Sequence, residues 1–135
     1  MSIVDILNKG IEFTNSDEAA QEMLADFTDH KVGMKIDEDE VTLVVKDSVV
    51  SLEQGIREDC DAVMALSTVD MCGAIDDSYD LMEIKDKGEI LKGDPKDPAI
   101  AVHFMATFPY FDAMVRLYED DDGFKKEVDK FKASL

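Results

Sequence analysis

The sequence predicts an α+β domain: a five-stranded, mainly antiparallel sheet with helices packed on one of its faces. Three observations carry this. Apolar residues recur at helical spacing near both ends of the chain. Between Val32 and Leu66 the period changes to two, the signature of half-buried strands. The breaks between those runs are short and rich in Asp, Ser and Gly, which favours antiparallel neighbours over crossovers.

Taken in order, Ser2 and Asp5 have the spacing of a capping box, and Ile3, Ile6, Leu7 and Ile11 form a helical stripe of about ten residues. Asn15 or Ser16 is positioned to cap a second helix with Ala19, Ala20, Met23, Leu24 and Phe27 inward. His30 falls near its end, where a cation on the surface interacts well with the helix dipole. Val32, Met34 and Ile36 then alternate with Gly33, Lys35 and Asp37, and Asp37-Glu38-Asp39 reads as a turn. Val41, Leu43 and Val45 form the next strand, Asp47-Ser48 turns again, and Val50 and Leu52 lead to Gly55. Ala62, Met64 and Leu66 form a fourth strand, so that a meander is expected.

Ser67 and Asp70 repeat the capping-box spacing and open a short helix through Ile75. Ser78 is placed to cap a further helix carrying Leu81, Met82 and Ile84, ended by Gly88. Residues 89–93 read as a fifth strand. Asp97-Pro98 joins an N-cap to proline at the first helical position, and opens the most apolar stretch of the chain. There Ile100, Phe104, Phe108, Phe111, Val115 and Tyr118 recur at helical steps, and Val102, Met105, Ala106, Pro109, Ala113, Met114 and Leu117 make most of the remaining surface apolar. Pro109 predicts a kink or break near Phe108. Asp112 and Arg116 have i,i+4 spacing. Gly123 is expected to end this helix, before a last amphipathic one carrying Phe124, Val128, Phe131 and Leu135.

The chain has 135 residues, and neither a repeat nor a linker divides it; residues 1–135 read as a single domain. Its 32 acids against 14 bases leave a net charge of −18, which argues against nucleic-acid binding and against docking on anionic membranes. No apolar run has the length of a membrane span. Ser2-Ile3-Val4-Asp5 lacks the basic start and apolar run of a signal peptide, so the expected location is cytoplasmic. Cys60 and Cys72 form neither a CxxC pair nor a zinc framework and read as buried small hydrophobes.

Motifs for acyl transfer, phosphate loops and dinucleotide binding are absent. The acidic run before Gly123 fails as a calcium loop, because Tyr118 would occupy the first ligand position. His103, inside an apolar stretch, reads as a hydrogen-bonded or surface histidine. No catalytic residue, metal site or cofactor is therefore expected. What stands out is an apolar surplus, since one sheet face cannot cover a helix that is greasy on more than one side.

Residues 61–70, Asp-Ala-Val-Met-Ala-Leu-Ser-Thr-Val-Asp, resemble the Asp-Val-x-Leu…Ser-x-x-Asp segment of sterol carrier protein-2-like domains. Residues 87–94, Lys-Gly-Glu-Ile-Leu-Lys-Gly-Asp, resemble that family's Gly-Lys-(Leu/Ile)-x-(Ile/Val)-x-Gly-Asp segment, with Glu89 where a base is common. The clear match covers about a quarter of the chain, and the order of elements fits beyond it. The resemblance implies a five-stranded sheet, helices over one face and an apolar tunnel between them. It implies carriage of sterols, fatty acids, acyl-CoA or phospholipids, or an accessory role such as those in quinone synthesis, and carries over no catalytic residue.

The expected function is thus binding or carrying of an apolar ligand: a fatty acid, an acyl chain, a sterol or an isoprenoid lipid. Helical and strand phase assign Met64, Met71, Met82, Phe104, Met105, Phe108, Phe111 and Val115 to its wall. The alternative is a non-catalytic accessory subunit that uses the same surface to form a homodimer or to meet a protein partner. An enzyme using His103 as acid or base is the third reading.

Overall fold

The computed structural model describes every residue except Met1, Tyr79, Leu81, Met82, Ile84, Lys85 and Pro95. The helix expected around Leu81, Met82 and Ile84 therefore lies outside the described residues. The described elements are helices α1 (Ile3–Ser16) and α2 (Glu18–Leu24), strands β1 (His30–Ile36), β2 (Asp39–Lys46), β3 (Val49–Gln54) and β4 (Ala62–Leu66), helix α3 (Thr68–Ile75), strand β5 (Glu89–Lys92), and helices α4 (Pro98–Met105), α5 (Phe108–Asp120) and α6 (Asp122–Ala133).

The five strands make one sheet in the order β3-β2-β1-β4-β5. Two tight turns join β1 to β2 and β2 to β3, with positive φ at Asp37, Asp47 and Ser48. Asp and Ser are short enough to enter this region at modest cost. The expected meander stops at β3. Strand β4 lies beside β1 and parallel to it, with Val32 opposite Ala62 and Ile36 opposite Leu66. The other three pairings are antiparallel.

Residues 55–61 must therefore cross from the β3 edge back over β2 and β1. Gly33 shows how they fit. A Cβ built there would lie 2.9 Å from Ile56 and 3.3 Å from the sulfur of Cys60, so only glycine leaves room for the crossing chain. Thr42 fastens the same segment: its hydroxyl donates to the Gly55 carbonyl at 2.8 Å and accepts from the Arg57 amide at 3.1 Å. Cys60 and Cys72 are both buried and unpaired, as the sequence reading holds.

The opposite face of the sheet carries the core. Val32, Met34 and Ile36 point there with Val41, Leu43 and Val45, and with Met64 and Leu66 of β4. Helices α1, α3 and α5 cover them with Ile3, Ile6, Leu7, Met71, Tyr110, Phe111 and Met114. Helix α5 is central, packing on α1, α2, α3 and α6. Gly10 of α1 lets it approach: a Cβ there would meet Met114 at 2.6 Å. Tyr110, fully buried, donates its hydroxyl to the Leu7 carbonyl at 2.7 Å.

Three boundaries differ from expectation. Helix α1 continues to Ser16, and Asp17 caps α2 by accepting from the Ala20 amide at 3.0 Å. Gly123 does not end α5. The helix stops at Asp120, and Asp121 caps α6 by accepting from the Phe124 amide, which puts Gly123 in the first turn of α6. His30 is not at a helix end on the surface: α2 stops at Leu24, and His30 is the first residue of β1, only 6% exposed. The remaining caps follow the sequence. Ser2 and Asp5 form the reciprocal box, Ser67 accepts from the Asp70 amide, and Asp97 accepts from the Ala99 amide.

Candidate functional site

Proline decides the shape of the late apolar segment. Pro109 has no amide hydrogen to continue a helix, so α4 ends at Met105 and α5 begins anew at Phe108. Between them the Ala106 amide donates to the Val102 carbonyl, and the Thr107 hydroxyl donates to the Phe104 carbonyl at 2.6 Å. The two halves have different fates. Helix α5 sinks Pro109, Tyr110, Phe111, Ala113 and Met114 into the core. Helix α4 packs against β1 and β4, but of its own residues only Ile100 is buried. Val102 and Met105 remain 46% and 47% exposed, and Phe104 is half-buried. The sequence Pro-Ala-Ile-Ala-Val-His-Phe-Met is thus an apolar helix lying on the protein with Val102 and Met105 left nearly half exposed.

Two residues tie α4 to the sheet. Ile100 sits against Gly93, where a Cβ would come within 2.7 Å of its terminal carbon. His103 reaches His30 of β1, with their Nδ1 atoms 2.8 Å apart and the rings edge to face. Asp61, at the end of the crossover, places a carboxylate oxygen 4.0 Å from His103 Nδ1. That carboxylate is held in place, because its Oδ2 accepts from the Lys31 amide at 2.9 Å while the Asp61 amide donates to the Lys31 carbonyl at 2.8 Å. Burial and the facing His103 push the His30 pKa below its ordinary value, against an opposing pull from Asp61 and Asp29.

The residues assigned to a ligand wall divide into groups. Met64, Met71 and Phe111 are buried members of the core, and Phe104 packs against it. Met105, Phe108 and Val115 stand outside that cluster, Met105 exposed and the other two half-buried. Met82 lies outside the described residues. The layer in which a tunnel was expected holds Tyr110, Phe111, Met114, Met34 and Met71. Tyr110 is the important side chain that the phase argument passed over. It lies one position before Phe111, and its hydroxyl masks it in an apolar count. The pairing of His30 with His103 had no signal in the sequence.

Grooves of about 590 and 450 Å³ open elsewhere on the surface. The first runs past Lys35, Asp37, Ser67, Asp70 and Leu91, and the second lies between α1 and the α5–α6 junction. Neither contains any of the assigned wall residues, and both have charged rims.

No protein-family model matches the chain, and no curated protein is significantly similar to it. Solved structures are. A crystal structure of sterol carrier protein 2 superposes with a TM-score of 0.59 at 13% identity, over 82% of this chain and 94% of the other. A structure described as UbiJ-SCP2, a ubiquinone synthesis protein, gives 0.57 at 13% identity, over 82% and 88%. A conserved hypothetical protein of Thermus thermophilus, with a sterol carrier suggested in its description, gives 0.57 at 13% identity, over 84% and 86%.

Proposed function

Proceeding from a sterol carrier protein-2-like fold, we propose that this protein binds an apolar ligand against α4 and the α4–α5 junction, as a carrier and not as a catalyst. The observation that carries the proposal is the uncovered helix: eight residues of nearly unbroken apolar sequence with Ile100 alone buried. Exposed apolar side chains scattered singly need no explanation, but Val102 and Met105 on one helix, with Phe104 and Phe108 half-buried beside them, make a patch. A fatty acid, acyl chain, sterol or isoprenoid lipid would cover it. Ten methylenes removed from water supply roughly 8 kcal/mol gross, enough to exceed the low end of the association cost.

Carriage without chemistry is supported by the state of the thiols. Both cysteines are buried, and burial pushes the Cys72 pKa up to about 11, which disfavours its thiolate as a nucleophile. Free thiols also support the cytoplasmic location included in this proposal. No helix among the described residues is long and apolar enough to cross a membrane. With a net charge of −18, loading from anionic bilayers is disfavoured, and the ligand is expected to arrive from solution, from neutral surfaces or from another protein.

The test is titration of delipidated protein with a fluorescent fatty acid, alongside native mass spectrometry of protein purified without detergent. Saturable uptake at one site is expected, weakened at least tenfold by Val102→Asp with Met105→Asp and unaffected by Val69→Asp, an equally exposed position on α3. An empty protein with no uptake would overturn the proposal. A stable dimer at low concentration that hides the same patch would replace it with an interaction subunit.

A further inference from the structure

We propose that His30, His103 and Asp61 form a binding site for one transition-metal dication, with Zn²⁺ as the reference ion. Three ligand atoms of suitable type, a ring nitrogen of each histidine and a carboxylate oxygen of Asp61, lie within 4.8 Å of one another, and the two Nδ1 atoms face each other at 2.8 Å. They come from three distant parts of the chain: the start of β1, the end of the crossover and the last turn of α4.

The geometry is close to that of a bound state. Zinc takes nitrogen at about 2.0–2.1 Å and carboxylate oxygen at about 2.0–2.2 Å, so tetrahedral ligand atoms lie roughly 3.3–3.5 Å apart. The Nδ1 atoms are at 2.8 Å, the Asp61–His103 pair at 4.0 Å and every ligand pair within 4.8 Å, so the imidazoles must part by about half an ångström, and the carboxylate must close in by about half an ångström on His103 and by up to roughly 1.5 Å on His30. Rotation about the side-chain bonds of Asp61 and the two histidines is the movement required. Without a metal, a single proton shared between two facing nitrogens holds the pair together. A dication takes that place, the proton moving to Nε2 of its own ring, and in addition engages the carboxylate.

The surroundings suit a resident ion. The Asp61 carboxylate is oriented by the Lys31 amide, an outer contact of the kind that metal-binding carboxylates keep. The Phe27 ring packs edge to face on His30, with centroids 5.9 Å apart. The His103 and Asp61 side chains are 23% and 37% exposed, which gives an entry path and leaves the fourth position open to water. Two imidazoles and one carboxylate select Zn²⁺, Co²⁺, Ni²⁺ or Cu²⁺ over Mg²⁺ and Ca²⁺, which prefer oxygen alone. The consequence is mechanical: the ion would clamp α4 to the sheet at the end away from Ile100. The site does not depend on the proposed apolar ligand, and its test contains no lipid.

The test uses the full chain stripped with EDTA and titrated with Zn²⁺ by calorimetry, with Co²⁺ as a spectroscopic probe. One Zn²⁺ per chain at micromolar affinity or tighter is expected, with Mg²⁺ unable to compete at a thousandfold excess. His103→Gln should weaken it at least a hundredfold and Asp61→Asn about tenfold; both positions are partly exposed, and circular dichroism checks that the fold is kept. Wild-type protein with one equivalent of Co²⁺ should show the intense visible bands of a four-coordinate ion. Binding at several weak sites that His103→Gln leaves unchanged would assign the metal to the acidic surface and overturn the proposal. So would Co²⁺ bands no stronger than those of the aqueous ion.

Discussion

Placing a methyl group at Gly10 tests the packing of α1 on α5 with a sign and not only a size. Gly10 lies in the interior of α1, where alanine gains about 1 kcal/mol in helix propensity. Against this, a Cβ would stand 2.6 Å from Met114 Cγ, 2.7 Å from Sδ and 2.9 Å from Cε. Met114 is fully buried, and the clash includes its stem, so it cannot simply swing its end aside. Overpacking of this kind costs about 1–3 kcal/mol, and with three atoms involved the upper half of that range applies. Gly10→Ala should therefore destabilise the protein by about 1–2 kcal/mol in urea denaturation, after the helix gain is subtracted. Met114→Ala removes all three clashing atoms and itself costs about 2–5 kcal/mol, so both backgrounds are measured in the same stabilising sulfate buffer. In that background Gly10→Ala should stabilise by about 1 kcal/mol, its propensity gain alone. The same sign in both backgrounds would refute the claim that the two helices are held apart only by the width of a glycine.

Three other expectations follow from charge and burial. Screening should raise Tm between 20 and 500 mM NaCl, because 32 acids and 14 bases repel more than they attract; an unchanged or lower Tm would reject this. Asp76 is pushed up by burial, but the ammonium of Lys132 at 2.6 Å and bonds from Ser78 outweigh this and hold its pKa below 3.8. Its stabilising effect is therefore present above pH 3.8 and lost as pH falls through the folded value. The urea midpoints of wild type and Lys132→Met should converge in that window, whereas a gap constant from pH 7 to 2 would show that the pair adds nothing. At pH 8 neither cysteine should react with a thiol reagent until urea unfolds the chain, and fast labelling of native protein would contradict the burial of both.

Much of the fold is legible from periodicity and caps, because both are local. Val32, Met34 and Ile36 must share a face whichever strand lies beside them, and Asp97-Pro98 starts a helix whatever that helix packs on. Partners are another matter. Alternation says which side chains share a face, but not that β4 will pass over β2 to lie parallel with β1; Gly33, read as one more polar-face residue, was the trace of the crossing chain. The candidate site was legible only in part for the same reason. An apolar surplus in residues 98–118 could be counted, and it does surface on α4. Which half would be sunk and which left uncovered depended on the break before Pro109. The meeting of His30 with His103 depended on tertiary placement alone.

The parallel pairing of β1 with β4 bears on how the chain reaches its native state. The turns at residues 37–38 and 47–48 let β1, β2 and β3 zip together from local contacts, at small loop-closure cost. Strand β4 reaches its place only through a segment that crosses two other strands, and α4 packs on both β1 and β4, so its full docking surface exists only once β4 is paired. Loop-closure cost therefore favours the β1–β2–β3 hairpins forming first and the β4–α4 half last, and the expectation is that this late half sets how long hydrophobic surface stays open to aggregation on the way.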